Sequence, residues 1–186
     1  MAKLQLVGNV VGLRLTIAER DIERESGRVV GEVATKKLQR MAYEILEDNL
    51  DEGSIILAGV PENGTVIAKN IQKIISQISS LKTELINITL DKRLPKDVKL
   101  NKNLDFNNQV VIIVDDVVNS GKTLLYAVKP FLEYQPKKIQ TLVLVERSHN
   151  NFPVQPDYVG LSISTTLQEH IIVEVSGETI TGAYLH

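Results

Sequence analysis

Val110-Val-Ile-Ile-Val-Asp115-Asp116-Val-Val-Asn119-Ser120-Gly121-Lys122-Thr123 decides how the rest of the chain is read. Val110–Val114 is an unbroken aliphatic run of strand length, and two carboxylates follow it directly. Such a run marks a strand buried on both faces, as in a parallel sheet. After the acids comes a turn holding Asn119, Ser120 and Gly121. A helix then runs from Gly121 to about Tyr134, bent or shortened at Pro130. The turn therefore sits at the carboxyl end of a parallel strand, where open α/β sheets bind ligands. Its backbone N–H groups and hydroxyls, at a helix N-terminus, suit an anion.

Outward from this segment, strands and helices alternate. Leu38, Ala42, Ile45, Leu46 and Asn49/Leu50 recur at helical spacing, with Lys36, Lys37, Arg40, Glu44 and Glu47 opposite. Ser54–Val60 is a compact apolar run, and Gly59–Gly64 is a turn. Ile67, Ile71, Ile74, Ile75 and Ile78 mark a second helix face, and Leu85–Leu90 reads as a strand. Residues 91–109 are polar and lack periodicity. Ile139–Val145 is a further strand, and Tyr158–Ile163, Ile171–Val175 and Ile180–Leu185 are β-prone. Residues 32–145 thus predict βαβ units around a mostly parallel sheet. Residues 4–17 suggest a β-hairpin or two strands, so residues 1–30 are expected to form an N-terminal β appendage to a main domain of residues 31–186.

The 186 residues contain no Cys, which excludes a disulfide scaffold and thiolate metal sites. No apolar run approaches the roughly 18 residues that span a bilayer. Met-Ala-Lys-Leu-Gln-Leu at the start lacks the apolar core of a signal peptide, so a soluble, cytoplasmic protein is expected. The net charge of −2 is uneven. Residues 148–186 hold four acids and no Lys or Arg, leaving 21 cations against 19 acids in residues 1–147. Of the three histidines, His170 and His186 are isolated and make poor metal-ligand candidates.

Ser120-Gly121-Lys122-Thr123 ends like a nucleoside-triphosphate P-loop, but that loop needs Gly where Asp116 stands. A carboxylate about 4 Å from a phosphate at an effective dielectric of about 20 costs about 4 kcal/mol per like-charge pair. A ribose 5-phosphate fits better, with its phosphate in the N–H-rich turn and its hydroxyls against the two acids. The segment resembles the 5-phosphoribosyl-1-pyrophosphate (PRPP) motif of type I phosphoribosyltransferases. In both, an apolar strand, two acids, two aliphatics and two variable positions precede Gly-x-Thr. Three further stretches are similar to the bifunctional pyrimidine-operon attenuator/uracil phosphoribosyltransferase family: Leu85-Ile-Asn-Ile-Thr-Leu90, Leu142-Val-Leu-Val-Glu-Arg147-Ser-His149-Asn-Asn-Phe-Pro153 and Gln155-Pro-Asp157-Tyr-Val-Gly160-Leu-Ser-Ile-Ser-Thr-Thr166. The resemblance covers about residues 32–185.

The resemblance implies a type I phosphoribosyltransferase fold, a parallel sheet flanked by helices with a small C-terminal β hood. It implies that a nucleobase, uracil-type, displaces pyrophosphate from PRPP. Asp115 and Asp116 would hold the ribose, and Val117, Val118, Asn119, Ser120, Gly121, Lys122 and Thr123 the 5-phosphate. Pro61, Glu62, Asn63 and Gly64 would form the pyrophosphate loop and Lys92 and Arg93 part of a flexible loop. Arg147, His149, Asp157, Tyr158 and Val159 would form the nucleobase hood. Mg2+ would enter with PRPP rather than on a metal site of the protein, and a homodimer is implied. Asn119 stands where 6-oxopurine enzymes carry an Asp, which weighs against hypoxanthine or guanine.

The chain departs from the family in the pyrophosphate loop, where basic residues give way to Pro61-Glu62-Asn63. Glu62 opposes pyrophosphate at a cost on the order of 1–4 kcal/mol, so reduced activity is expected. Lys96, Lys99 and Lys102 follow the flexible loop, either as pyrophosphate contacts on closure or as solvated lysines. Two alternatives stand beside the enzyme: a regulatory RNA-binding, attenuator-like protein using Lys36, Lys37 and Arg40, and a non-catalytic sensor of PRPP or nucleotides.

Overall fold

The computed structural model describes residues 28–147, 151–163 and 171–185. The expected N-terminal β appendage falls mostly on residues 1–27, outside the described residues. The elements in order are β1 (Arg28–Val30), α1 (Gly31–Asp48), β2 (Ser54–Gly59), α2 (Asn63–Ile78), β3 (Lys82–Thr89), β4 (Lys99–Leu100) and β5 (Val110–Val118). After them come α3 (Lys122–Ala127), a 3-10 turn (Lys129–Glu133), β6 (Lys138–Arg147), β7 (Tyr158–Ile163), β8 (Ile171–Ser176) and β9 (Thr179–Leu185).

The main sheet has the order β4-β3-β2-β5-β6-β7. All its pairs are parallel except β3 with β4. From β2 the chain crosses through α2 to β3 on one side, then returns to β5 on the other. The order reverses between β2 and β5, which opens a crevice at their carboxyl ends.

The central strands are covered on both faces, which explains their unbroken apolar runs. Ile55, Leu57, Val110, Ile112 and Val114 pack into one cluster with the buried faces of α1 and α2. Ile56, Ala58, Val111 and Ile113 face the other way, against Phe106, Leu124 and Phe131. Phe106 meets Phe131 and Tyr134 edge-on at 5.0 and 5.1 Å between ring centres. Phe106 thus gives the aperiodic 91–109 stretch an anchor in the core.

Several expectations are corrected. The strand of the acid pair does not end before the acids but continues through them to Val118. Its register with β6 runs on to Val118 opposite Glu146. The expected helix to Tyr134 divides into α3 and the 3-10 turn, with Pro130 in the first turn of the latter, where it needs no N–H partner. Leu50 is 78% exposed because α1 ends at Asp48, and Asn49 takes the buried position. Tyr158–Ile163 is not part of the hood but the edge strand of the main sheet. The separate sheet is β1-β9-β8, all antiparallel. Lys69 and Asn70 on α2 reach Glu178 in its hairpin turn, and its Val173, Ile180 and Ala183 join the α1/α2 core.

Candidate active site

The crevice between β2 and β5 is built by close backbone approach. Val60 donates its N–H to Val114 O at 2.8 Å, so the turn after β2 lies against the strand just before the acids. A Cβ on Gly64 would stand 2.5 Å from Val114 O. Only glycine lets α2 begin this near β5. Gly64→Ala is expected to lower stability by about 1–3 kcal/mol, read as a drop in urea midpoint. An unchanged midpoint would show that the approach is not close.

Asp115 and Asp116 project from this point. The Asp115 side chain is 2% exposed and accepts the backbone N–H of Asp116 on Oδ1 at 2.9 Å. Lys92 Nζ lies 3.5 Å from Asp115 Oδ1 and 3.5 Å from Asp116 Oδ1. Asn63 Nδ2 donates to Asp116 Oδ2 and to Val173 O, both at 2.9 Å. The turn after β2, the acid pair and the β8 strand therefore meet on one amide.

Burial, and after it the charge of Asp116, push the Asp115 carboxyl up from its ordinary 3.8 to about 8. Burial acts the same way on Asp116. There it is outweighed by the Lys92 charge and by hydrogen bonds from Asp115, Asn63 and Val117, which hold Asp116 below its ordinary value. Burial lowers Lys92, but the two carboxylates outweigh it and hold Lys92 above its ordinary value. The two acids are thus driven apart in pKa, Asp115 up by burial and Asp116 down by the ammonium beside it.

The turn after β5 wraps around Ser120, whose carbonyl oxygen accepts the N–H groups of Asn151 and Phe152. Gly121 has φ +80°, and a Cβ there would meet Phe152 O at 3.3 Å. Both the backbone and the space demand glycine. The hydroxyl of Ser120 accepts the N–H of Lys122 at 3.3 Å. Lys122 Nζ donates to Arg93 O at 3.2 Å, and Lys129 Nζ to Lys96 O at 3.2 Å. The 91–97 loop is thus tied to α3 and the 3-10 turn on one side and to the acids through Lys92 on the other.

Of the expected site residues, the structure gathers the acid pair, Asn63, Lys92 and the 117–123 turn. Arg147 joins them: it is buried and its Nη1 donates to Asn119 Oδ1 at 2.8 Å. Asp157 and Tyr158 are not brought to the acids. Asp157 accepts the N–H and hydroxyl of Thr141. Tyr158 is buried, with its hydroxyl accepting from Gln140 Nε2 at 2.7 Å, and Gln140 in turn accepts from Asn49 at the end of α1. Burial and the Asp48 charge raise the Tyr158 pKa. These two side chains join β7 to β6 and α1. The carbonyls of Val159 and Gly160 accept from Arg40 Nη2 at 2.6 and 2.9 Å. Glu62 has φ 68°, a left-handed conformation that costs a non-glycine residue on the order of 1–3 kcal/mol. His149 lies outside the described residues.

Sequence reasoning did not foresee the contacts of Asn63, Lys92 and Arg147. Each joins residues at least 23 positions apart, beyond any local pattern.

The model of the phosphoribosyl transferase domain matches residues 30–177. The chain belongs to that family. It is a phosphoribosyltransferase, a glycosyltransferase that transfers a phosphoribosyl group to a nucleobase. It is 36% identical over 155 residues to the bifunctional protein PyrR of Streptococcus pneumoniae, covering 80% of this chain and 89% of that protein. Among solved structures, the hypoxanthine phosphoribosyltransferase of Trypanosoma cruzi superposes with a TM-score of 0.71. That match covers 84% of this chain and 93% of the other at 16% identity. A hypoxanthine-guanine phosphoribosyltransferase from Bacillus anthracis gives 0.61, covering 77% and 85% at 23% identity. These structures establish the fold of the phosphoribosyltransferase and leave its base open. No described helix is long and apolar enough to cross a membrane.

Proposed function

We propose that this phosphoribosyltransferase joins uracil, or a closely similar pyrimidine, to the phosphoribosyl group of PRPP and releases pyrophosphate. The observation that carries the reading is the acid pair at the β2/β5 crossing, Asp115 buried and Asp116 partly so, set directly before the 117–123 turn. Asp115 and Asp116 hold the ribose hydroxyls. Val117, Val118, Asn119, Ser120, Gly121, Lys122 and Thr123 hold the 5-phosphate. Pro61, Glu62, Asn63 and Gly64 face the pyrophosphate, and Lys92 and Arg93 close over it. Arg147 and the fixed Asn119 amide border the base, where an amide cannot serve as the proton acceptor that an Asp offers a purine. His149, outside the described residues, is a further base contact by its place in the sequence resemblance alone.

Displacement at C1 passes through an oxocarbenium-like state, so positioning and charge carry the catalysis. Two adjacent carboxylates, one driven toward protonation, suit a ligand that arrives with hydroxyl donors and a cation. Among the described residues no group of three or more His, Cys, Asp or Glu is placed to hold a metal alone. Mg2+ comes with PRPP, where it offsets the charge of the departing pyrophosphate. Residues 31–186 act as the catalytic domain and residues 1–30 as its appendage, in a cytoplasmic homodimer.

Incubation with labelled uracil, PRPP and Mg2+ is expected to yield uridine monophosphate (UMP) slowly, because Glu62 opposes the pyrophosphate. No product with uracil and ready turnover of hypoxanthine would overturn the choice of base. A nucleotide sensor without turnover is the second reading, supported by the same exposed Glu62 carboxylate. RNA binding through α1 has less support, since Arg40 is engaged by Glu44 and by the β7 carbonyls.

A further inference from the structure

We infer that Lys92 is the residue by which this enzyme tells PRPP from its nucleotide product, acting as a displaceable counter-ion of the acid pair. The inference rests on the proposed ribose-binding role of Asp115 and Asp116. In the free protein the Lys92 ammonium stands 3.5 Å from an oxygen of each acid. Its own side chain is 39% exposed and Asp115 is 2% exposed, so Lys92 is the cation that covers a buried carboxylate. Asn63 takes the remaining oxygen of Asp116. Three of the four oxygens that would receive ribose hydroxyls are thus contacted by side chains of the two loops expected to meet pyrophosphate.

Any ribose 5-phosphate must displace Lys92 from these oxygens. The fate of the displaced ammonium differs between the two ligands. PRPP brings a pyrophosphate to the Pro61–Gly64 turn, which reaches Asp116 through Asn63, beside Lys92. The displaced ammonium there finds a new anion within the same crevice. That turn has no cation of its own, so the protein's cations for the pyrophosphate come from the neighbouring loop, Lys92 with Arg93. The nucleoside monophosphate has no pyrophosphate. Its binding leaves Lys92 without an anionic partner, and the return of Lys92 to the acids expels the product. Residues 91–94 carry this movement: they are exposed, and the Lys122 bond to Arg93 O is an exposed single hydrogen bond, while the buried Pro95 anchors the loop behind them.

The test is calorimetric titration of the wild type, Lys92→Met and Lys92→Arg with UMP and, separately, with PRPP, both with Mg2+. Lys92→Met is expected to tighten UMP about tenfold or more and to leave PRPP unchanged or weaker. The PRPP-to-UMP preference then collapses, while Lys92→Arg keeps it. Weaker or unchanged UMP binding in Lys92→Met, or an equal shift for both ligands, would overturn the inference. Binding of neither ligand by the wild type would overturn the functional reading itself, and this inference with it. Hydrogen exchange on the wild type needs no variant. Amides of residues 91–94 are expected to exchange faster with UMP bound than in the free protein, and slower or unchanged exchange would also overturn the inference.

Discussion

Asp115→Asn is expected to stabilise the free protein by about 2–4 kcal/mol at pH 7 while abolishing phosphoribosyl transfer. Asp115 is buried, and its carboxyl is pushed from 3.8 up to about 8. Between those values the folded state holds a proton that the unfolded chain has released, so stability falls as pH rises through this window. One pKa unit corresponds to about 1.4 kcal/mol, and sharing of the proton with Asp116 reduces the total. Asn keeps the shape, is neutral at every pH, and still accepts the Asp116 N–H. The gain over wild type should therefore be small near pH 4, grow toward pH 8 and level off above it. Asp116 acts in the opposite sense, since its lowered pKa contributes stability that is lost as pH falls through the acid range. Urea denaturation of both proteins at pH 5 and pH 8 measures the difference. Equal stability at pH 8 would show that the Asp115 environment is not hostile to charge. The expected loss of activity has a separate origin, because Asn is a weaker acceptor for the ribose hydroxyls that the proposed function assigns to Asp115. A binding site that resists its own folding is a common outcome of selection for function.

Glu62→Lys is expected to raise kcat/KM for PRPP by roughly tenfold to a thousandfold, the reverse of the 1–4 kcal/mol that an opposing anion costs. The side chain is exposed in the turn before α2, so the change introduces no packing conflict. Glu62→Gly separates charge from strain. It removes the carboxylate and also relieves the left-handed backbone at φ 68°, so it should increase both activity and stability, with a smaller gain in activity than Lys. Steady-state rates at subsaturating PRPP, with thermal denaturation alongside, distinguish the variants. If all three proteins turn over equally, the turn does not meet the pyrophosphate.

Much of this molecule could be read in its sequence, for a physical reason. A strand buried on both faces must be apolar throughout, so Val110–Val114 announced a central parallel strand. A helix face repeats every three to four residues, so Leu38, Ala42 and Ile45 announced α1. The acid pair and Gly121 could be read because they break those patterns. Tyr158 misled because an aromatic residue in a β-prone stretch carries no sign of which sheet it joins. That depends on pairing with β6, and the strand register placed its hydroxyl on Gln140.

The sequence by itself determined the α/β alternation, the strand that carries the two acids and the turn behind it, because local hydrophobic period and backbone demands are written residue by residue. The tertiary structure alone decided what those acids touch. The reversal of strand order between β2 and β5 brought Asn63 to Asp116, and the return of the chain from β3 brought Lys92 to both acids. Burial in that crevice, a property of no single segment, pushes the Asp115 carboxyl above its ordinary pKa, while the charge of Lys92 and the hydrogen bonds it meets there hold Asp116 below its own.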